Sequence, residues 1–269
     1  MAKTKIKVLH NSKQRLQGLP FSRLLPNIAT VMALCVGLSS IRFGLQGRYH
    51  IAVVAVLVAA VLDAMDGRLA RLLGTSSDFG AELDSLSDFV SFGVAPSVLV
   101  YILSLHELAG LGWAGVLFFS VCMGLRLARF NITNRATDKS VPPPWSKKYF
   151  IGVPAPAGAL LALLPLMLQL ATGFDFLISP FICLTFLIVT GSLMVSRLPT
   201  YSFKTFQIPP RMVLPTLLVV GLMVAFLLSD PWLTMSIIMI LYLFSIPHSY
   251  STFKKLESST SRTEKTSHA

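Results

Sequence analysis

Asp63-Ala64-Met65-Asp66-Gly67-Arg68-Leu69-Ala70-Arg71-Leu72-Leu73-Gly74-Thr75-Ser76-Ser77-Asp78-Phe79-Gly80-Ala81-Glu82-Leu83-Asp84-Ser85-Leu86-Ser87-Asp88 lies between runs that are otherwise almost wholly apolar. A carboxylate at the edge of such a run is costly and marks a functional site with a partner. Asp63 and Asp66 are three residues apart, and Asp84 and Asp88 are four apart, so each pair shares one helix face. Gly74-Thr75-Ser76-Ser77 breaks the chain between the pairs, and Ser77 or Asp78 can cap the helix that follows. The break makes the two helices antiparallel neighbours and brings both pairs to one depth.

Four facing carboxylates cannot all stay ionised without cations between them. All-oxygen ligation favours Mg²⁺ or Mn²⁺ over zinc. Two such ions, about 3.5–4 Å apart in known sites, suit displacement at phosphorus. Gly67 and Gly80 carry no side chain and let a ligand approach the backbone, and Ala70 keeps the face between them small. Arg71, one turn beyond Gly67, can fork onto a phosphate, and the hydroxyls of Thr75, Ser76 and Ser77 stand at the mouth.

Outward from this stretch, the 269 residues are 54% hydrophobic and only 13% charged, with a mean hydropathy of +0.69. Apolar runs near twenty residues match the length a helix needs to cross a hydrocarbon core of roughly 30 Å. A soluble helical bundle would need polar helix faces, which most of these segments lack. The expected fold is therefore all-α, a polytopic transmembrane bundle of about eight spans. The spans run at about 24–43, 50–72, 78–105, 111–130, 150–171, 176–196, 212–228 and 231–250. A basic arm (1–23) precedes this domain (24–250), and a polar, disordered tail (251–269) follows it.

If both termini share one side, all but Arg42 and Arg48 of the 23 Lys and Arg fall there. That asymmetry puts the termini, the aspartates and the central loop in the cytoplasm. The net charge of +11 is spread over several loops, which argues for topology and anionic lipid rather than nucleic acid. Cys35, Cys122 and Cys183 sit within apolar runs, fit no metal or redox spacing and read as packing residues. No short apolar run with a small-residue cleavage site follows the basic start, so no removable signal peptide is expected. Trp113, Trp145 and Trp232 read as interfacial anchors, and neither His106 nor His248 has a metal partner in the sequence.

The string Asp63-x2-Asp66-Gly67-x2-Ala70-Arg71-x8-Gly80-x3-Asp84-x3-Asp88 resembles, without gap or substitution, the signature of the CDP-alcohol phosphatidyltransferase family. The resemblance implies an integral membrane enzyme with a six-helix core, here followed by two C-terminal spans, that displaces CMP from a CDP-linked alcohol. It implies that Asp63, Asp66, Asp84 and Asp88 ligate two divalent ions, Mg²⁺ or Mn²⁺, with Asp88 also the general base. Gly67 and Arg71 would contact the nucleotide and its phosphates. Pro26-Asn27 resembles the family's opening, where Asn27 approaches the nucleotide. Ala70, Ser77 and Gly80 join this nucleotide and lipid-binding set. A homodimer is a further family expectation.

Three flanks, Asp84 to Pro96, Leu125 to Asn131 and Phe150 to Ala157, resemble the family's serine-accepting branch. The implied substrates are CDP-diacylglycerol and L-serine. Arg126 and Arg129, three apart, can receive an amino-acid carboxylate or simply anchor a helix end by the positive-inside rule. Another alcohol acceptor (glycerol phosphate, inositol or choline) stays open within the family. A cation-coupled transporter is the rival from another class, but it would be expected to show broken helices in two similar halves.

Overall fold

A computed structural model describes residues 24–75, 77–135, 149–196, 199–201 and 212–246. The expectations for the arm 1–23, Ser76, Trp145 and the Pro-rich insert 141–148, His248 and the tail 251–269 fall outside these residues.

Helix α1 (Leu25–Leu45) opens with Pro26 in its first turn, where a missing N–H costs nothing. Its buried positions are Pro26, Thr30, Ala33, Gly37, Ser40 and Gly44. These small residues recur every three or four positions and form the kind of seam that lets membrane helices approach closely. Along this seam α1 packs on α2 (Tyr49–Leu73), on α3 (Asp78–Asp88) and on the helical turns after it. A Cβ at Gly37 would lie 2.9 Å from the Ser91 Cα. Gly37→Val is therefore expected to destabilise the fold by about 1–3 kcal/mol through overpacking. A melting midpoint in detergent equal to wild type would show the seam to be looser than it is here.

Gly74 ends α2 in the left-handed region, with φ of +59°. Ser77 caps α3, its Oγ accepting from the Gly80 N–H at 3.0 Å. The expected third span is not uniform. A π-helical segment, Phe89–Val94, separates α3 from α4 (Ala95–Leu103), and the Ala95 N–H donates to the Val90 carbonyl. Pro96 explains the local rearrangement, because it has no N–H and its ring crowds the carbonyl four residues earlier. Ser97 Oγ lies 2.8 Å from the Gly93 carbonyl and 3.0 Å from that of Val94, and serves carbonyls loosened by the wide turn.

A short 3₁₀ turn (Leu105–Leu108) leads to α5 (Ala109–Arg135). The expected helix start at Phe150 is instead part of β1 (Tyr149–Ile151). It pairs antiparallel with β2 (Pro199–Tyr201), with Phe150 opposite Thr200. This pair departs from the all-α expectation only locally. Helices α6 (Ala155–Ala162) and α7 (Leu164–Thr172) meet at a 50° bend, where Pro165 interrupts the hydrogen-bond ladder. Helices α8 (Pro180–Val195), α9 (Val213–Ser229) and α10 (Pro231–Ile246) complete the described chain.

Among the described residues, eight apolar helical units stand where eight spans were expected, but their lengths differ. Four are long enough to cross a membrane, and a fifth is if α6 and α7 form one bent span. Helices α8 to α10 have at most 17 residues, about 25 Å at 1.5 Å per residue, short of a hydrocarbon core of roughly 30 Å. The core gathers Val56, Phe92, Leu99, Phe119, Met123 and Leu187 from five segments. Helix α9 buries none of its residues, whereas α10 seats Met239 and Ile246 on the core.

Candidate metal and acceptor site

The site forms where the C-terminal turns of α2, the second half of α3 and the C-terminal third of α5 converge. One carboxylate oxygen from each of Asp63, Asp66 and Asp84 lies within 4.8 Å of the other two. Asp88, one turn beyond Asp84, brings its carboxyl to hydrogen-bonding separation from Asp63. Its Oδ1 is buried with no hydrogen-bond partner among the described residues. Among the described residues, Arg126 is the positive charge that faces both Asp63 and Asp88. Four carboxyls against one guanidinium leave the cluster short of positive charge, and a buried orphan acceptor is costly. An all-oxygen donor set with that deficit fits a hard divalent cation.

Thr30 is a site residue that pattern reading missed. Its Oγ1 lies 2.6 Å from Asp66 Oδ2 and 3.1 Å from the Pro26 carbonyl, and both Thr30 and Asp66 are only 4% exposed. Donated to Asp66, the hydroxyl hydrogen fixes the orientation of a carboxylate that contributes an oxygen to the cluster. Ser87 Oγ then bonds the Thr30 carbonyl at 3.2 Å, which ties α1 to α3 behind the cluster. The available signal was weak: a polar residue within the small-residue seam of α1. Removing a partner that orients a ligand typically costs 10–100-fold in metal affinity. Thr30→Val keeps the shape and should raise the metal concentration for half-maximal activity about tenfold. A metal titration indistinguishable from wild type would assign Thr30 to packing alone.

The nucleotide-side residues cluster at the mouth. A Cβ at Gly80 would sit 3.0 Å from Asn27 Oδ1 and 3.2 Å from Ser77 Oγ, so Asn27, Ser77 and Gly80 form one neighbourhood. Gly67 faces open space. Arg71 is exposed and folds back, its Nε donating to the Gly67 carbonyl at 2.9 Å. Ala70 accepts the Thr75 N–H at the helix end. Thr75 Oγ1 is buried there with no hydrogen-bond partner among the described residues.

Arg126 and Arg129, both on α5, have different surroundings. Arg129 points at the end of α8, where its guanidinium donates to the carbonyls of Val195 at 2.7 Å, Ser196 at 3.3 Å and Met194 at 3.4 Å. A cation at these orphan carbonyls also complements the helix dipole. Gly152, at φ of +80°, packs against the same carbonyls, and a Cβ there would lie 2.7 Å from the Met194 oxygen. Arg126 donates from Nε to the Val153 carbonyl at 2.6 Å and turns its charge toward Asp63 and Asp88. Asn131 Nδ2 donates to Ser85 Oγ at 2.9 Å, fastening the end of α5 beside Asp84.

The sequence model for CDP-alcohol phosphatidyltransferase matches residues 23–196, and one for CDP-alcohol phosphatidyltransferase 2 matches residues 211–247. A Mycobacterium leprae protein named CDP-diacylglycerol–serine O-phosphatidyltransferase is 39% identical over 229 residues, covering 84% of this chain and 74% of its own. A Helicobacter pylori protein of the same name is 36% identical over 181 residues, 67% of this chain and 73% of its own. A Methanocaldococcus jannaschii protein, again of that name, is 42% identical over 154 residues, 56% of this chain and 65% of its own.

Proposed function

The chain belongs to the CDP-alcohol phosphatidyltransferase family, and from that premise we propose that it transfers the phosphatidyl group of CDP-diacylglycerol to the hydroxyl of L-serine, releasing CMP. The observation that carries the reading is the cluster of Asp63, Asp66 and Asp84 oxygens within 4.8 Å, with the orphan Asp88 Oδ1 and Arg126 beside it. Asp63, Asp66, Asp84 and Asp88 would hold Mg²⁺ or Mn²⁺. When bound, the ions supply Lewis-acid neutralisation of the pyrophosphate oxygens.

The chain's own residues do the rest. Asp88 accepts the proton of the serine hydroxyl, which at neutral pH is too weak a nucleophile without a base. The freed oxygen attacks the phosphorus that carries diacylglycerol, a new P–O bond forms, and the bond to the CMP phosphate breaks with its electron pair leaving on CMP. Direct displacement is favoured because no separate Ser, His or Cys nucleophile stands in the cluster among the described residues. Asn27, Gly67, Ala70, Arg71, Ser77 and Gly80 receive the nucleotide and lipid phosphates. The basic loops orient this end toward the cytoplasm, where serine and CMP come and go, and the active unit is a homodimer.

Arg126 is assigned the serine carboxylate. Its charge faces the reacting end, whereas the Arg129 guanidinium is engaged with the α8 carbonyls. Arg126→Ala should raise the KM for serine at least about tenfold and shift the KM for the lipid far less, as expected for loss of a charged hydrogen bond. Equal shifts in both constants would return Arg126 to an anchoring role.

The deciding experiment incubates purified protein with CDP-diacylglycerol, serine and Mn²⁺ or Mg²⁺ and measures CMP and phosphatidylserine. Turnover with glycerol phosphate, inositol or choline but not with serine would replace the acceptor and keep the reaction. Ion-dependent flux without CMP release would sink the transferase reading in favour of a transporter.

A further inference from the structure

Two stretches far apart in the chain are clasped together against α5. Where α8 ends, the carbonyls of Val195, Ser196 and Met194 all accept from the Arg129 guanidinium, at 2.7, 3.3 and 3.4 Å. Gly152 closes on the same group from the other stretch. A Cβ there would lie 2.7 Å from the Met194 oxygen, 3.1 Å from the Ser196 oxygen and 3.2 Å from Arg129 Nη2. Its φ of +80° is a second reason that only glycine sits easily at this position. Immediately before it, β1 pairs with β2, Ile151 standing opposite Pro199. The chain entering α6 and the chain leaving α8 are thus joined by a ribbon and by the Arg129 clasp.

The clasp bears on Arg126 through a single residue. Val153 follows Gly152, is only 1% exposed, and its carbonyl accepts the Arg126 Nε–H at 2.6 Å. A guanidinium is a rigid planar fork, so holding Nε against a buried carbonyl constrains where the two terminal nitrogens go. Helix α5 carries both arginines past α3 at the level of Asp88. Asn131 Nδ2 donates to Ser85 Oγ at 2.9 Å, and a Cβ at Gly124 would lie 3.4 Å from the Phe89 ring. Along the chain, these contacts bracket Arg126 and Arg129 on α5, and Asp88 on the facing segment. The terminal nitrogens of Arg129 are spent on backbone carbonyls, whereas Arg126 is held through Nε.

Resting on the reading that gives Arg126 the serine carboxylate, we infer that Arg129 and Gly152 are positioning residues for Arg126. They set the affinity for serine through the Val153 carbonyl and make no contact with serine themselves.

The test is a double-substitution cycle on the full chain in detergent, with CMP release measured at varied serine and at varied CDP-diacylglycerol. Arg129→Ala should raise the KM for serine about fivefold, a coupling ordinary within one hydrogen-bonded network, and leave kcat and the lipid KM within about twofold of wild type. In an Arg126→Ala background the same change should move the serine KM by less than about twofold, because nothing is left to position. Gly152→Ala pushes on the Val153 carbonyl while every α5 side chain stays intact, and it should give the same split between the two substrates. Arg129→Lys, which keeps the charge at the helix end but not the fork, carries the same cycle if Arg129→Ala does not fold. Equal effects on the serine KM in both backgrounds would make Arg129 an independent contact to serine and overturn the inference. Parallel losses in kcat and both KM values would reduce the clasp to a cap that stabilises the fold, and unchanged constants would likewise overturn the inference. An Arg126→Ala protein with the wild-type serine KM removes the reading on which the inference rests, and the inference with it.

Discussion

Asp84→Asn is expected to abolish turnover while leaving the helices packed. The side chain keeps its shape and loses one of the three carboxylate oxygens that lie within 4.8 Å of each other. On the proposed reading its charge is needed: cations would be held by the summed negative charge of Asp63, Asp66, Asp84 and Asp88, and an amide contributes none. Metal neutralisation at a transferring phosphoryl group is worth several kcal/mol, so losing it should slow CMP release by about a thousandfold or more. Asp63→Asn and Asp66→Asn belong to the same class. High Mn²⁺ or Mg²⁺ should recover part of the lost rate, because the defect is in affinity. An Asp84→Asn protein within about threefold of wild-type kcat would remove this cluster from the reaction.

Asp88→Asn is expected to behave differently. Asp88 borders Asp63, and its Oδ1 is buried without a hydrogen-bond partner among the described residues. In the proposed reaction that oxygen takes the acceptor's proton. Removing a general base typically costs 10²–10⁴-fold, and the loss should appear in kcat. Binding of the CDP-lipid should weaken less than in Asp84→Asn, since Asp63, Asp66 and Asp84, whose oxygens lie within 4.8 Å of each other, all remain. Single-turnover CMP release and equilibrium CMP binding separate the two effects. Full activity in Asp88→Asn would refute its role as base. An equal loss of binding and rate would make it a ligand only.

Much of the site could be read along the chain because its defining interactions are local. The spacings of Asp63 with Asp66 and of Asp84 with Asp88 set shared helix faces wherever those helices go. Gly74 in the left-handed region and Ser77 capping α3 follow from the chemistry of the turn itself. The features that were missed lack such local determinants. The 50° bend and the π-helical segment have prolines nearby, but their size depends on what packs around them. Phe150 was expected in a helix, yet its backbone pairs with Thr200, fifty residues away, and no periodicity reports a partner at that distance. Arg126 and Arg129 were one pair with two readings. The approach of α8 engages Arg129 with its terminal carbonyls, while Arg126 turns toward the aspartates.

The sequence by itself determined that this is a helical membrane protein with four aspartates on two adjoining helices, because hydropathy and helical phase are properties of each segment alone. Tertiary structure decided which outside groups complete the cluster. Thr30 reaches Asp66 only because the small-residue seam of α1 lets two backbones come close, and Arg126 is held where it faces Asp63 and Asp88 only because the Val153 carbonyl, 27 residues on, accepts its Nε–H. Contacts between distant segments depend on the fit of packed surfaces, which spacing along one chain does not encode.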